Sequence, residues 1–472
     1  MKTEIKFYGG LNTIGGVVMS IVYGKERLLL EIGMAYDPKS DVYDGMVTHR
    51  IDNYLVDELK LKRAPLVDGL YSKEYLHAYD LIAAEDSNLH TSIFITHMHL
   101  DHMSCMGLVS DNVDIYLSQP AQILEETLET VGKGVKNLRK TPFKELDPNK
   151  EYHLGDIILK PFLLNDKSYQ DYSFLVITPD MKVHYTGDVL LHGDYADEVW
   201  KEMEIIKNEK VDVLVCDTTA LMDSTMNMMY GDVNAEIVGQ KELPKGMYSK
   251  KMVDDELSKN LLEKEGLCVF NFYEREMSEV LVFNDMAKKT NRIIAYEPET
   301  AYLIWKFFNE KVNVYVPDYK YDSDWFNELI QNNPVITKED IHENPKGYLI
   351  QNTYEHILEL FDLPNSNACY LHAGGTPIGA YDPAYANMKK VLQLSGFTHI
   401  NFFMSNYFTH AYPSQLKYYC DQIDAKVLIP THGYKPERLH ASNNRQRLLP
   451  KLYTTYVLEN NQLVEVKDEN RN

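Results

Sequence analysis

Within six residues the chain reads His97-Met98-His99-Leu100-Asp101-His102. Three imidazoles and a carboxylate at this density are metal-ligand chemistry, and that donor mixture suits zinc, manganese or iron. Side chains two apart on an extended chain point the same way. His97 and His99 can therefore reach one ion, while Asp101 and His102, just beyond, can turn toward a second. A separate candidate is Gly374-Gly375-Thr376, a Gly-rich turn after the apolar run ACYLH. Backbone N–H groups in such a turn can cradle a phosphate, although strand-to-helix glycines also serve packing alone.

These residues act only if the chain holds them in place. TSIFIT is a β-branched and aromatic run that reads as a buried strand leading directly into His97. The first 40 residues (IKFYG, VVMSIVYG, RLLLEIG), then IILKPFLL, DYSFLVIT, KVHYTGD and DVLVCDTT, read as further strands separated by Gly, Asp and Pro turns. From about residue 255 the pattern changes to strands alternating with helices, among them PETAYLIWKFFN with Pro at its start. That alternation is the mark of parallel βαβ units. Residues 50–88 read as covering helices. Lys133, Lys136, Arg139 and Lys140 are spaced as one face of a helix, more simply solvated than substrate-binding. The 472 residues leave room for two or three domains. With 44% apolar residues and a net charge of −22, this is a folded, acidic protein and not a polycation that coats nucleic acid. Five scattered cysteines without a CxxC fit reduced thiols in a cytoplasm, and no apolar run is long enough for a membrane span.

The run Thr96–His102 resembles the HxHxDH motif of the metallo-β-lactamase superfamily. Tyr185-Thr186-Gly187-Asp188 resembles its bridging-aspartate element, and Pro430-Thr431-His432-Gly433 its distal histidine. Three further elements resemble the β-CASP nuclease branch, which includes ribonuclease J: the opening Gly9–Gly16 turn, Asp217 closing DVLVC, and Thr409-His410-Ala411. The resemblance implies an αββα sandwich with an inserted α/β β-CASP domain: sandwich over 1–220, insert over 221–405, sandwich completed by 406–472. With few residues after the last motif, the reading expects the usual C-terminal domain of ribonuclease J to be missing, and the resemblance leaves a homodimer open.

The resemblance also implies one or two divalent ions, zinc foremost and manganese next, held by His97, His99, Asp101, His102, Asp188 and His432. Asp101, Asp217 and His410 become the catalytic candidates, with Asp217 orienting a ligand and His410 beside the scissile phosphate. Gly374, Gly375, Thr376 and Lys167 become substrate contacts, and Glu31 is a structural brace. One departure stands out: Lys167, in Asn165-Asp166-Lys167-Ser168, occupies the place of a ligand histidine. Either the first metal site is weak and Lys167 supplies positive charge, or His184 or His192 supplies the ligand. The function implied is a metal-dependent phosphodiester hydrolase, a cytoplasmic ribonuclease for single-stranded RNA. The rivals are a hydrolase of small esters, lactones or nucleotides, and a non-catalytic RNA-binding relative.

Overall fold

The computed structural model describes residues 1–35, 37, 41–43, 46–77, 79–165, 170–193, 195–221, 243, 247–380, 382–401, 409–440 and 445–466. One sheet has eight strands in the order β22-β21-β1-β2-β3-β4-β5-β6. They are β1 (Glu4–Gly9), β2 (Val18–Tyr23), β3 (Glu26–Leu30), β4 (His90–Phe94), β5 (Asp114–Leu117), β6 (Lys144–Glu145), β21 (Thr455–Glu459) and β22 (Gln462–Glu465). A second sheet has seven, in the order β20-β19-β11-β10-β9-β8-β7. These are β7 (Tyr152–Leu154), β8 (Ile157–Asn165), β9 (Asp171–Ile177), β10 (Lys182–Tyr185), β11 (Val213–Asp217), β19 (Val427–Thr431) and β20 (Gln446–Arg447).

The two sheets face each other across one core. Leu28 and Leu30 of β3, Phe7, Ile21 and Phe94 meet Phe174, Val183, Val213, Val215 and Ile429 there. Alternate residues point away: Leu29, Ile93 and Ile115 pack under the helix Gln119–Thr130. Leu214, Cys216 and Leu428 pack under the helices Ala196–Glu209 and Pro413–Ile423. Two faces buried per strand explain why these segments are continuous apolar runs and not half-polar alternations. The architecture is αββα.

Each sheet is antiparallel at one end and parallel at the other. β3, β4, β5 and β6 run parallel, as do β10, β11, β19 and β20. The motif residues follow the carboxyl ends of β4, β10, β11 and β19, so the parallel halves deliver them to one edge of the sandwich.

Between β11 and β19 the chain builds a five-stranded sheet in the order β13-β16-β12-β17-β18. Its strands are β12 (Cys268–Phe272), β13 (Ile293–Ala295), β16 (Tyr348–Gln351), β17 (Cys369–Ala373) and β18 (Thr398–Asn401). All neighbours are parallel. From β12 the chain moves first toward β13 and then, with β17, to the other side, so strand order reverses at β12. A crevice at the carboxyl ends on such a reversal is where parallel sheets bind ligands. Tyr273–Glu276 leaves β12 there, and Gly374–Thr376 leaves the adjacent β17. A pair of two-residue strands, β14 (Val314–Tyr315) and β15 (Val335–Ile336), sits outside this sheet.

Sandwich and insert share apolar packing: Leu124 and Leu128 belong to one cluster with Met277, Phe283 and Tyr302. The basic run does not form the expected helical face. The helix ends at Thr130, and Gly132 adopts φ 81° just beyond it. Arg139 turns inward to donate to the carbonyls of Val109 and Val113, and Lys133 pairs with Glu355 of the insert at 2.5 Å. The 50–88 region is thinner in helix than expected, with short helices at Tyr54–Lys60 and Lys73–Leu76. All five cysteines are buried free thiols. Among the described residues no helix is long and apolar enough to cross a membrane.

Candidate metal centre

The loop after β4 lies against glycines that leave it no clearance. A Cβ on Gly33 would sit 1.8 Å from the Asp101 carbonyl oxygen, and one on Gly15 would sit 2.2 Å from Asp101 Cβ. Gly16 N–H donates to the Asp101 carbonyl at 2.8 Å. The opening Gly-rich turn is thus a seat for the ligand loop. Backbone strain concentrates beside it: Glu31 has φ 64° and His432 φ 53°, a region that costs bulky L-residues of order 1 kcal/mol or more.

Two donor clusters adjoin. In the first, His97 Nε2 lies 3.0 Å from His99 Nδ1 and 3.6 Å from Asp188 Oδ2. In the second, His432 Nε2 lies 3.1 Å from His102 Nε2 and 3.2 Å from Asp101 Oδ2. Asp188 belongs to both: its Oδ1 is 3.2 Å from His102 Nε2 and 3.5 Å from His432 Nε2. A third grouping joins Asp188, Asp217 and His410. The donor set fits divalent ions. Imidazole nitrogens crowd each other and carboxylate oxygens, and Asp188 Oδ1 is buried without a hydrogen-bond partner. A cation held by His97, His99 and Asp188 on one side, and by Asp101, His102, Asp188 and His432 on the other, would satisfy these atoms.

A further ring of residues fixes the imidazoles. Glu31, fully buried, accepts from the Thr96 hydroxyl, and Thr96 Oγ1 lies 2.9 Å from His97 Nδ1. Glu31 Oε1 is also 3.4 Å from His102 Nδ1, near enough for charge pairing though off hydrogen-bond geometry. Thr219 Oγ1 sits 2.7 Å from His432 Nδ1 and donates to Asp217 at 2.6 Å. Asp217 Oδ2 is 2.8 Å from His410 Nδ1. His99 is braced from the insert, by Glu276 at 3.3 Å. Tyr273 and Glu276 escaped the sequence reading, because nothing near residue 275 resembles a ligand motif, and Thr96 was visible there only as the residue that opens the motif run. Thr219 was visible there only as a neighbour of Asp217.

The charges are mutually adjusted. Burial alone would raise the carboxyls, but adjacent histidines hold Asp101, Asp188 and Asp217 below the usual carboxylate range. Burial pulls His432 down, yet Asp188, Asp101 and Asp217 outweigh it and push its pKa up to about 10. His410 is raised in the same way against burial by Asp217 and Asp188. His97 goes the other way, lowered by burial and by His102 and His99.

Other candidates lie elsewhere. His184 is fully buried on the outer face of its sheet, 2.7 Å from Glu202 and 3.1 Å from the Tyr419 hydroxyl. His192 stacks on Tyr412 with 4.5 Å between ring centres, its Nε2 3.3 Å from the His410 carbonyl. Neither belongs to the three donor groupings. Gly374 and Gly375 are buried at the end of β17, and Thr376 is exposed. Lys167 and Asp166 lie outside the described residues.

No family model matches the chain, and no curated protein matches it. Among solved structures, a protein of unknown function from Enterococcus faecalis V583 is 23% identical, aligned over 97% of this chain and 100% of that one, with a TM-score of 0.76. The two share a fold. The metallo-β-lactamase fold protein YhfI from Bacillus subtilis is 10% identical over 75% of this chain and 97% of that one, at a TM-score of 0.29. The subclass B3 metallo-β-lactamase BJP-1 of Bradyrhizobium japonicum is 16% identical over 44% and 73%, at 0.25. Fold and site together define an αββα sandwich with an inserted parallel-sheet domain and a paired imidazole–carboxylate centre at one edge.

Proposed function

We propose that this chain is a metal-dependent hydrolase of the metallo-β-lactamase type, and that its substrates are phosphodiesters in single-stranded RNA. The observation that carries the first half is Asp188, whose two oxygens face two different ligand clusters. Divalent ions there, zinc foremost, would supply Lewis-acid stabilisation of a phosphoryl oxygen and acidify water. The chain's own residues do the rest. Asp188, Asp101 and the histidines fix where the scissile group sits. Asp217 holds His410 by its Nδ1 and favours its protonated form, which makes His410 the proton donor toward the leaving oxygen. The choice of phosphodiester rests on the resemblance of Asp217, His410 and His432 to the β-CASP elements. It rests also on the glycine turn at the carboxyl end of β17, where backbone N–H groups of Gly374–Thr376 would meet a phosphate.

The test is incubation of the zinc- or manganese-loaded protein with labelled single-stranded RNA bearing 5′-monophosphate or 5′-triphosphate. Cleavage abolished by chelator and by His410→Ala is the expected result. Intact RNA alongside hydrolysis of chromogenic esters would move the assignment to small substrates. Inertness toward both, with metal bound, would point to a binding protein.

A further inference from the structure

The far-side partners of three histidines at the centre come from the sandwich itself: Thr96 for His97, Thr219 for His432 and Asp217 for His410. His99 is held across the domain boundary. Its Nδ1 faces His97 at 3.0 Å, and its Nε2 faces Glu276 Oε2 at 3.3 Å. Glu276 is itself fixed, because its Oε1 accepts from the Ser278 hydroxyl at the start of the helix Ser278–Lys289. The same short run grips the sandwich twice more. The Tyr273 hydroxyl accepts the Leu100 N–H at 3.3 Å, beside His99. Arg275 donates to Glu125 at 2.8 Å in an ion pair whose side chains are only 4% and 1% exposed.

A carboxylate on the distal nitrogen of a ligating imidazole fixes its tautomer and ring orientation and strengthens it as a donor. With the proton on Nε2, directed at Glu276, the Nδ1 lone pair points at the cluster. We infer that Glu276 is a positioning residue for His99, and that the first metal site is therefore completed by docking of the insert, whereas the second is complete within the sandwich. This rests on the metal-centre reading above. It adds that the two halves of the centre answer to different domains. Any substrate or partner that displaces the Tyr273–Glu276 run would loosen one ion and leave the other.

The test is titration of the chelator-stripped full chain with Co2+, followed by absorption, and with Zn2+, followed by metal count after dialysis. It compares wild type, Glu276→Ala and the isosteric Glu276→Gln. The expected wild type binds two ions. Glu276→Ala should keep one site at wild-type affinity and weaken the other about 10- to 100-fold. Glu276→Gln, which still accepts from Nε2–H without the charge, should fall between. Two sites unchanged in Glu276→Ala would overturn the inference. So would both sites weakening together with a lowered unfolding temperature of the stripped chain in both variants, the mark of a merely structural role. A wild type that binds no ion would instead overturn the metal-centre reading beneath it.

Discussion

The two halves of the centre share Asp188 yet are built on different principles. The second half, Asp101, His102 and His432, is braced by Glu31, Thr219 and Asp217, all from strand ends of one sandwich. The first half, His97 and His99, is braced partly by Thr96 and partly by a carboxylate more than 170 residues away, on the turn that follows a strand of a separate sheet. A site braced within one sandwich keeps its shape as long as that sandwich is folded. A site braced across an interface keeps it only while the interface is closed.

Asp188, which faces both clusters, offers the strongest way to break this comparison. Asp188→Ala removes an oxygen from each half, so metal content should fall from two ions toward zero and turnover by on the order of 10^3-fold or more. Retention of two ions by plasma emission analysis would show that the halves do not share it.

Next is the interface. Arg275→Met leaves Glu125 buried without its partner, and breaking a buried pair costs about 3–5 kcal/mol. The unfolding midpoint in denaturant should fall accordingly, and Glu125→Leu in the same chain should restore much of it. The first half should lose affinity in the single variant while the second does not. Equal loss from both would erase the distinction drawn here.

His432→Ala sharpens the comparison from the other side. It should abolish the second ion and spare the first, so that Co2+ titration gives one ion per chain.

The smallest effect is the response to pH of the chelator-stripped protein. His432 has an ordinary pKa of 6.5 and a folded value of about 10, so its pairs with Asp188 and Asp101 stabilise fully below about pH 6.5 and are lost as pH rises toward 10. The lowered Asp101, Asp188 and Asp217 contribute stability above their ordinary 3.8, lost as pH falls through their folded values. His97, lowered by burial, works against the fold as pH drops below 6.5, so the stripped chain should melt highest near pH 6.5 and decline toward pH 10. The gain on adding zinc should be larger at pH 8.5 than at pH 6, because the ion must displace protons. A melting temperature that climbs from pH 6.5 to 9.5 would contradict this charge arrangement.

Much of this was legible in the chain. Donor density in His97–His102 pointed to the donor clusters found there, and the change from continuous apolar runs to strand–helix alternation pointed to the parallel sheet of the insert. The basic run from Lys133 to Lys140 misled, because spacing by three and four implies a helical face only where a helix exists. Here Gly132 and Gly134 follow the helix end, and Arg139 is spent on loop carbonyls. Glu276 and Tyr273 were invisible for another reason. A bracing carboxylate needs no ligand spacing of its own, only the right position after the chain has folded back.

The sequence alone determined the donor types and the strand that delivers the first four of them, because these are local properties of a few consecutive residues. Tertiary structure decided which donors lie together and which domain steadies each imidazole. Asp188, Asp217, His410 and His432 meet the strand-end loop only when parallel strands of two sheets end at one edge, and Glu276 meets His99 only when a third sheet closes against them. Both are contacts between residues far apart along the chain, and no local pattern encodes them.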